Sequence, residues 1–346
     1  MINTKNKDNK ELLLAVDIGG TFIKLAIITR EGLMLDRWRI KTNTNEKGKY
    51  IPEEITNQFK DKLNEEKYQN KKAIAMGIGI PGFPSLDGVV KFSGNIGWKN
   101  YDVKKDLKKW WGDLPIAVHN DCDMAALGEK FVGNFKKVDN FVFITLGTGM
   151  GAGILINGKL YQGAGGTAGE FGHIPLQGFK TRFQCTCGLP ECAEPTFSAT
   201  GLINIYNEFR SKNSNIKSIL DDKEINGKNI WDAVRENDKL AIMAAKEFGE
   251  YGGRLLATVA MSYNPEVIIL GGGLAHDNET ILEYVIPVYK KFTHDFIRET
   301  TRVELCSVGN DAGLYGASYS AMVLCDDQNM INIKDDNYDF MREKVF

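Results

Sequence analysis

Three cysteines and a histidine crowd one stretch of the chain: Glu170-Phe-Gly-His173, then Cys185-Thr-Cys187-Gly-Leu-Pro-Glu-Cys192-Ala-Glu194. Cysteines at C-x-C-x4-C spacing with a histidine upstream can close a tetrahedral Cys3His zinc site. Two carboxylates, Glu170 and Glu194, bracket that set. A metal knuckle that fixes acidic side chains suits a polyhydroxylated ligand, because carboxylates accept hydrogen bonds from vicinal hydroxyls. Standing alone, His173 would read as a core histidine and the two glutamates as surface or capping residues.

Two glycine turns could hold an anion, and a third could admit a nucleotide base or ribose. Asp17-Ile-Gly19-Gly20-Thr21 follows an apolar run from Leu12. Bare backbone there admits close approach of phosphate oxygens, the threonine adds a donor, and Asp17 could help hold Mg2+. Thr145-Leu-Gly147-Thr148-Gly149 repeats the design between two β-prone runs. Gly271-Gly272-Gly273 follows Val267-Ile-Ile-Leu and could admit a base or ribose. An ordinary tight turn is the lesser reading of the first two strings and an equal reading of the third.

Asn120-Asp121-Cys-Asp123 precedes Met124, Leu127, Phe131 and Val132 at helical spacing, so Asp121 falls where a strand ends and a helix begins. Transfer of a phosphoryl group to a hydroxyl needs a base for the leaving proton, and a carboxylate at such a junction suits that role. In isolation Asp121 reads as a helix N-cap, with Asp123 as the competing cap.

The elements that must position these groups follow from pattern. The runs from Leu12 to Ile28 and from Phe141 to Ile156 each read as a hairpin with a glycine turn. Ala73–Ile80 reads as a strand ending at Pro81-Gly82, and Ala241–Ser262 as a helix stopped by Asn264-Pro265. A late helix begins near Asp311. Two similar α/β lobes are expected: 11–119, completed by a helix around 312–325, and 120–311 with the zinc knuckle. Residues 326–346 read as a polar tail, loosely held.

The 346 residues are 43% hydrophobic and 25% charged, with a net charge of −2, the composition of a soluble globular protein. No basic excess supports nucleic acid as the main partner. The first residues lack a signal-peptide core and no apolar run is long enough to span a membrane, so the expected location is cytoplasmic. Six cysteines in a chain of this size with no secretion signal argue against disulfides. Cys122, Cys306 and Cys325 read as packing thiols.

The order of these strings resembles the ROK family (repressors, open reading frames and sugar kinases). The likeness spans about Leu12 to Met322, and rests most on Leu146-Gly-Thr-Gly-Met-Gly-Ala-Gly153, Gly163 and Ala168-Gly-Glu170-Phe-Gly-His173. The resemblance implies α/β architecture: two actin-like, ribonuclease-H-like domains flanking an ATP and sugar cleft. It implies ATP-dependent phosphorylation of a hexose at its primary hydroxyl, foremost glucose, with Mg2+ and a structural Zn2+. Asp121 would be the base. Asn95, Asn120, Glu170, His173 and Glu194 would touch the sugar, with His173 also on zinc. Trp98 reads as packing. A homodimer is part of the same expectation. N-acetylmannosamine, N-acetylglucosamine and fructose remain alternative acceptors. The alternatives of another class are a non-catalytic sugar-responsive repressor and a sugar-binding protein. Only sixteen residues precede Asp17, too few for a helix-turn-helix module. The sequence departs from the family pattern at Glu191, usually glycine, at Phe22, often lysine, and at Asp123, commonly asparagine. Lys24 is placed to compensate in charge for Phe22.

Overall fold

The computed structural model describes residues 10–175 and 183–342, the side chains of 328–342 excepted. The polypeptide divides into two compact units. The first comprises residues 1–132, 163–167 and 311–346, and the second 133–162 and 168–310.

In the first unit, β1 (Glu11–Ile18) and β2 (Phe22–Thr29) form the expected hairpin, and β3 (Met34–Lys41) pairs antiparallel with β2. After α1 (Ile51–Leu63) comes β4 (Lys72–Ile80), parallel to β1. A small three-stranded sheet follows, made of β5 (Phe83–Pro84), β6 (Val90–Ser93) and β7 (Trp98–Tyr101). Then come α2 (Val103–Trp111), β8 (Ile116–Asn120), parallel to β4, and α3 (Asp121–Phe131). The main sheet order is β3-β2-β1-β4-β8. Leu12, Leu14, Val16, Ile78 and Phe59 sit in one core with Trp98, which is 2% exposed and therefore packing.

In the second unit, β9 (Phe141–Leu146) and β10 (Met150–Ile156) form a hairpin, extended by β11 (Lys159–Leu160). A long excursion carries α4 (Ala199–Lys212), α5 (Gly227–Arg235) and α6 (Lys239–Tyr263). Asn264 adopts a left-handed conformation (φ 42°) and, with Pro265 behind it, ends α6 where the sequence predicts. The chain returns as β12 (Val267–Gly271), parallel to β9 and buried along its length, as its unbroken apolar run requires. α7 (Thr280–Phe292), α8 (Asp295–Arg298) and β13 (Arg302–Leu305) complete the order β11-β10-β9-β12-β13. The core centres on Phe197, Trp231 and Phe248, the first and last 4.7 Å apart between ring centres.

Both sheets thus place third, second, first, fourth and fifth strands side by side, the repeated pattern expected of ribonuclease-H-like lobes. The chain then re-enters the first unit as α9 (Ala312–Arg342). α9 lies backbone-close on β4 and α3: a Cβ on Gly77 would strike the Ala317 carbonyl, and one on Gly316 the Met124 carbonyl. That packing assigns α3 to the first unit, whereas the sequence division began the second lobe at residue 120. The helix also continues through Arg342, past the predicted boundary at 326, because no glycine or proline interrupts the polar segment. Arg30 grips Asp326 at 2.6 and 2.8 Å and ties α9 to the end of β2. Among the described residues, no helix is long and apolar enough to cross a membrane.

Candidate functional site

The first glycine turn joins β1 to β2. The Gly19 N–H donates to the Phe22 carbonyl at 2.9 Å, which closes the turn. Thr42 braces it twice: its hydroxyl donates to the Gly19 carbonyl at 2.7 Å and its N–H to the Thr21 carbonyl at 2.9 Å. Gly20 and Thr21 face solvent. Asp17 is register partner to Lys24, whose ammonium stands 2.9 Å from its carboxylate. Gly313 of α9 lets that helix approach Asp17; a Cβ there would lie 3.2 Å from the carboxyl carbon. Phe22 is exposed, with the Arg39 guanidinium 4.5 Å above its ring. Asn95 sits against the turn, since a Cβ on Gly20 would be 3.3 Å from its own.

Asp121 opens α3, half-buried, in the same unit as this turn. Burial raises its carboxyl to a pKa of about 6, and the Asp17 carboxylate adds to the effect. The Cys122 backbone N–H, 3.0 Å from Asp121 Oδ1, pulls the other way. The helix cap is neither aspartate: Asn120 Oδ1 accepts from the Cys122 N–H at 2.8 Å, and its amide donates to the Gly82 carbonyl at 2.8 Å. Asp121 is therefore released from capping, and Asn120 spends both ends of its amide holding the strand-to-helix corner. Cys122, read as a packing thiol, has its sulfur 3.6 Å from Asp121 Oδ1.

In the second unit, Gly147 N–H donates to the Gly149 carbonyl at 3.0 Å across the turn between β9 and β10. The first turn of α4 grips this loop. Ala199 N–H donates to the Gly147 carbonyl at 2.9 Å, and the Thr200 hydroxyl to the Thr148 carbonyl at 2.7 Å. Glu194 holds the other side: its Oε2 accepts from the Met150 N–H at 3.0 Å. The third glycine run divides by role. Side chains on Gly271 and Gly272 would collide with the Phe143 ring and the Leu146 backbone, whereas Gly273 has open space around it.

His173, Cys185, Cys187 and Cys192 converge, with ligand atoms all within 4.8 Å of one another. The Cys187 and Cys192 sulfurs are 3.6 Å apart, and Cys185 Sγ is 3.6 Å from His173 Nδ1. Neighbouring ligands on a tetrahedral zinc lie about 3.5–3.8 Å apart, so these edges fit the ion, while a disulfide needs about 2.05 Å. All three cysteines are free thiols. His173 turns Nδ1 to the sulfurs and Nε2 toward Glu170, 3.8 Å away. Burial raises the Glu170 carboxyl above its ordinary value; His173 opposes this and Glu194 adds to it. Glu191 takes φ 60°, the left-handed conformation that a glycine there would adopt freely.

The supports from Thr42, Ala199 and Thr200, and the hold of Glu194 on Met150, had not been anticipated. Ser198, the N-cap of α4, was the one local cue to the second clasp.

Comparison with known proteins adds a history to this geometry. A model described as the ROK family matches residues 13–323. The glucokinase of Halalkalibacterium halodurans is 33% identical, over 88% of this chain and 93% of its own. The N-acetylgalactosamine kinase AgaK of a Shewanella species is 31% identical, over 88% of this chain and 94% of its own. A ROK family glucokinase from Streptomyces griseus, crystallised with glucose and AMPPNP, superposes with a TM-score of 0.72 at 30% identity, covering 90% of this chain and 99% of that one.

Proposed function

The chain belongs to the ROK family, and from that premise we propose that it is an ATP-dependent hexose kinase whose acceptor is the primary hydroxyl of glucose. The observation that carries the reading is Asp121: a carboxylate freed from capping, raised to a pKa of about 6, in the unit that bears Asp17 and the first glycine turn. A base with a pKa just below neutral is ionised at working pH and still basic enough to take a proton.

Asp121 accepts the hydroxyl proton as the sugar oxygen bonds to the γ-phosphorus and the bond to the β-phosphate oxygen breaks, releasing ADP. The backbone of Gly20 and Thr21, and that of Thr148 and Gly149, donates to phosphate oxygens, while the Gly19 and Gly147 N–H groups close the two turns. Gly273 leaves room for the nucleoside, and Gly271 and Gly272 shape the strand end before it. Asp17 would hold Mg2+, which when bound offsets phosphate charge. Glu170, His173, Glu194 and Asn95 hold the remaining hydroxyls, and Asn120 orients the corner that presents Asp121. Zinc on His173, Cys185, Cys187 and Cys192 would be structural, and the 3.6 Å edges support that choice of ion. A homodimer in the cytoplasm belongs to the same reading, and sedimentation tests the dimer.

An N-acetylhexosamine is the second acceptor in rank, because a relative at 31% identity is an N-acetylgalactosamine kinase. A coupled ADP-release assay over glucose, mannose, fructose and the N-acetylhexosamines decides. The highest kcat/KM is expected on glucose. Preference for an N-acetylated sugar would move the protein to the second reading, and binding of sugars with no ADP release would make it a sugar-binding protein.

A further inference from the structure

Besides the sugar role proposed above, the Glu194 carboxylate is engaged within its own unit. Oε2 accepts from the Met150 N–H, the first peptide of β10 after the second glycine turn. Oε1 faces Cys185 Sγ at 3.8 Å. A Cβ on Gly149 would run into this carboxylate, so glycine at 149 is what lets it reach the turn. The backbone repeats the connection. Glu194 N–H donates to the Gly172 carbonyl at 2.8 Å, and Pro175 pairs with Cys192 as an isolated bridge. Gly172 lies flat on β10, where a Cβ would come within 2.9 Å of the Met150 carbonyl. Both arms of the knuckle, the His173 side and the Cys192 side, therefore rest on the strand that leaves the turn. A few residues beyond Glu194, Ala199 and Thr200 hold Gly147 and Thr148.

We propose that Glu194 is a positioning residue for the second glycine turn, through which the Cys/His cluster sets the geometry of the Gly147–Met150 backbone as well as that of the sugar-facing side chains. The proposal rests on the reading that this turn cradles nucleotide phosphate. A peptide N–H that a carboxylate holds in place cannot swing, and the neighbouring N–H groups that meet the phosphate inherit that orientation. Metal loading would then be felt in nucleotide affinity, a quantity that a purely sugar-side role leaves untouched.

The test measures Mg-AMPPNP binding by calorimetry in the absence of sugar, together with hydrogen exchange at the Met150 amide. Glu194→Ala should weaken nucleotide binding about tenfold and speed Met150 exchange, the scale of one lost charge-assisted hydrogen bond. Glu194→Gln keeps an oxygen for the Met150 N–H and should stay within about twofold. Cys187→Ala, altering the exposed cysteine of the cluster, should also speed Met150 exchange. Thr200→Val, which loosens the opposite side of the loop, should weaken the nucleotide without altering Met150 exchange. Full nucleotide affinity and unchanged Met150 exchange in Glu194→Ala would overturn the proposal. Thr148→Glu separates the two levels: if a carboxylate at that turn leaves nucleotide affinity intact, the phosphate reading of the turn falls. The Met150 exchange result still judges the positioning role by itself.

Discussion

The turn after β1 and the turn after β9 occupy equivalent places in sheets of the same strand order, yet they are held by different means. The first carries its own charge. Asp17 stands two residues before its glycines, faces Lys24 across the hairpin and borders α9 at Gly313. The second is neutral at the matching position, where Thr145 Oγ1 accepts from the Gly151 N–H at 3.2 Å. Its support arrives from Glu194, Ala199 and Thr200, far along the chain. One fold thus supplies a charged turn braced by Thr42 of the neighbouring strand end and a neutral turn that depends on a knuckle and on α4. On the function proposed above, the first would hold the cation and the second would fix the nucleotide in register.

The largest effect should follow from removing the metal expected at the knuckle. Structural zinc in small sites is worth on the order of 10 kcal/mol in apparent binding free energy. Chelation should release about one zinc per chain and expose amides of the second unit to exchange, leaving those of β1 and β2 protected. Equal loss in both units would erase the contrast between the turns. Next comes Asp121→Asn, expected to lower kcat by about 10^3 while glucose affinity changes little. In the parent enzyme, kcat should fall about tenfold per pH unit below about 6, as Asp121 takes up its proton. Near wild-type turnover in the variant would remove Asp121 from the mechanism.

The same variant has a stability signature. The folded pKa of about 6 lies above the ordinary 3.8, so between those values the native state holds a proton that the unfolded state has released. Stability on this account falls as pH rises from about 4 to about 6 and stays lower above that. Asp121→Asn removes the penalty and should stabilise the protein by about 3 kcal/mol at most at pH 8, and by little at pH 4. Thermal melts at the two pH values check the sign.

Smaller effects sharpen the comparison. Lys24→Met should raise KM for Mg-ATP about fivefold, an effect that shrinks in high salt because the pair is partly exposed. Thr145→Val should cost about 1 kcal/mol of stability with no salt dependence. A salt-sensitive Thr145→Val would mean that the second turn is not neutral in function. Smallest of all, Glu191→Gly should stabilise the fold by about 0.5–1 kcal/mol, read as a slight rise in melting temperature, since it relieves a left-handed residue that has a side chain.

Much of this was legible in the residues. The hairpins, the helix ending at Asn264, the convergence of His173 with the three cysteines and the position of Asp121 all follow from short-range pattern. What escaped was set by contacts distant in sequence. Asn120 took the cap because its side chain meets both the Cys122 amide and the Gly82 carbonyl, and nothing local announces Gly82. Glu194 read as a free ligand because its partner, Met150, lies 44 residues away. The glycines at 271 and 272 looked like ligand contacts, yet they also clear space for Phe143 and Leu146, a demand visible only once β12 lies beside β9.

α9 leaves the ribosome only after the whole second unit has been made, yet it backs β4, α3 and the carboxylate of Asp17 in the first. The nascent N-terminal sheet must wait with that face bare while well over a hundred further residues are translated. Chaperone occupancy should peak in that interval, and a ribosome stalled short of residue 312 should display a chain unable to turn over substrate.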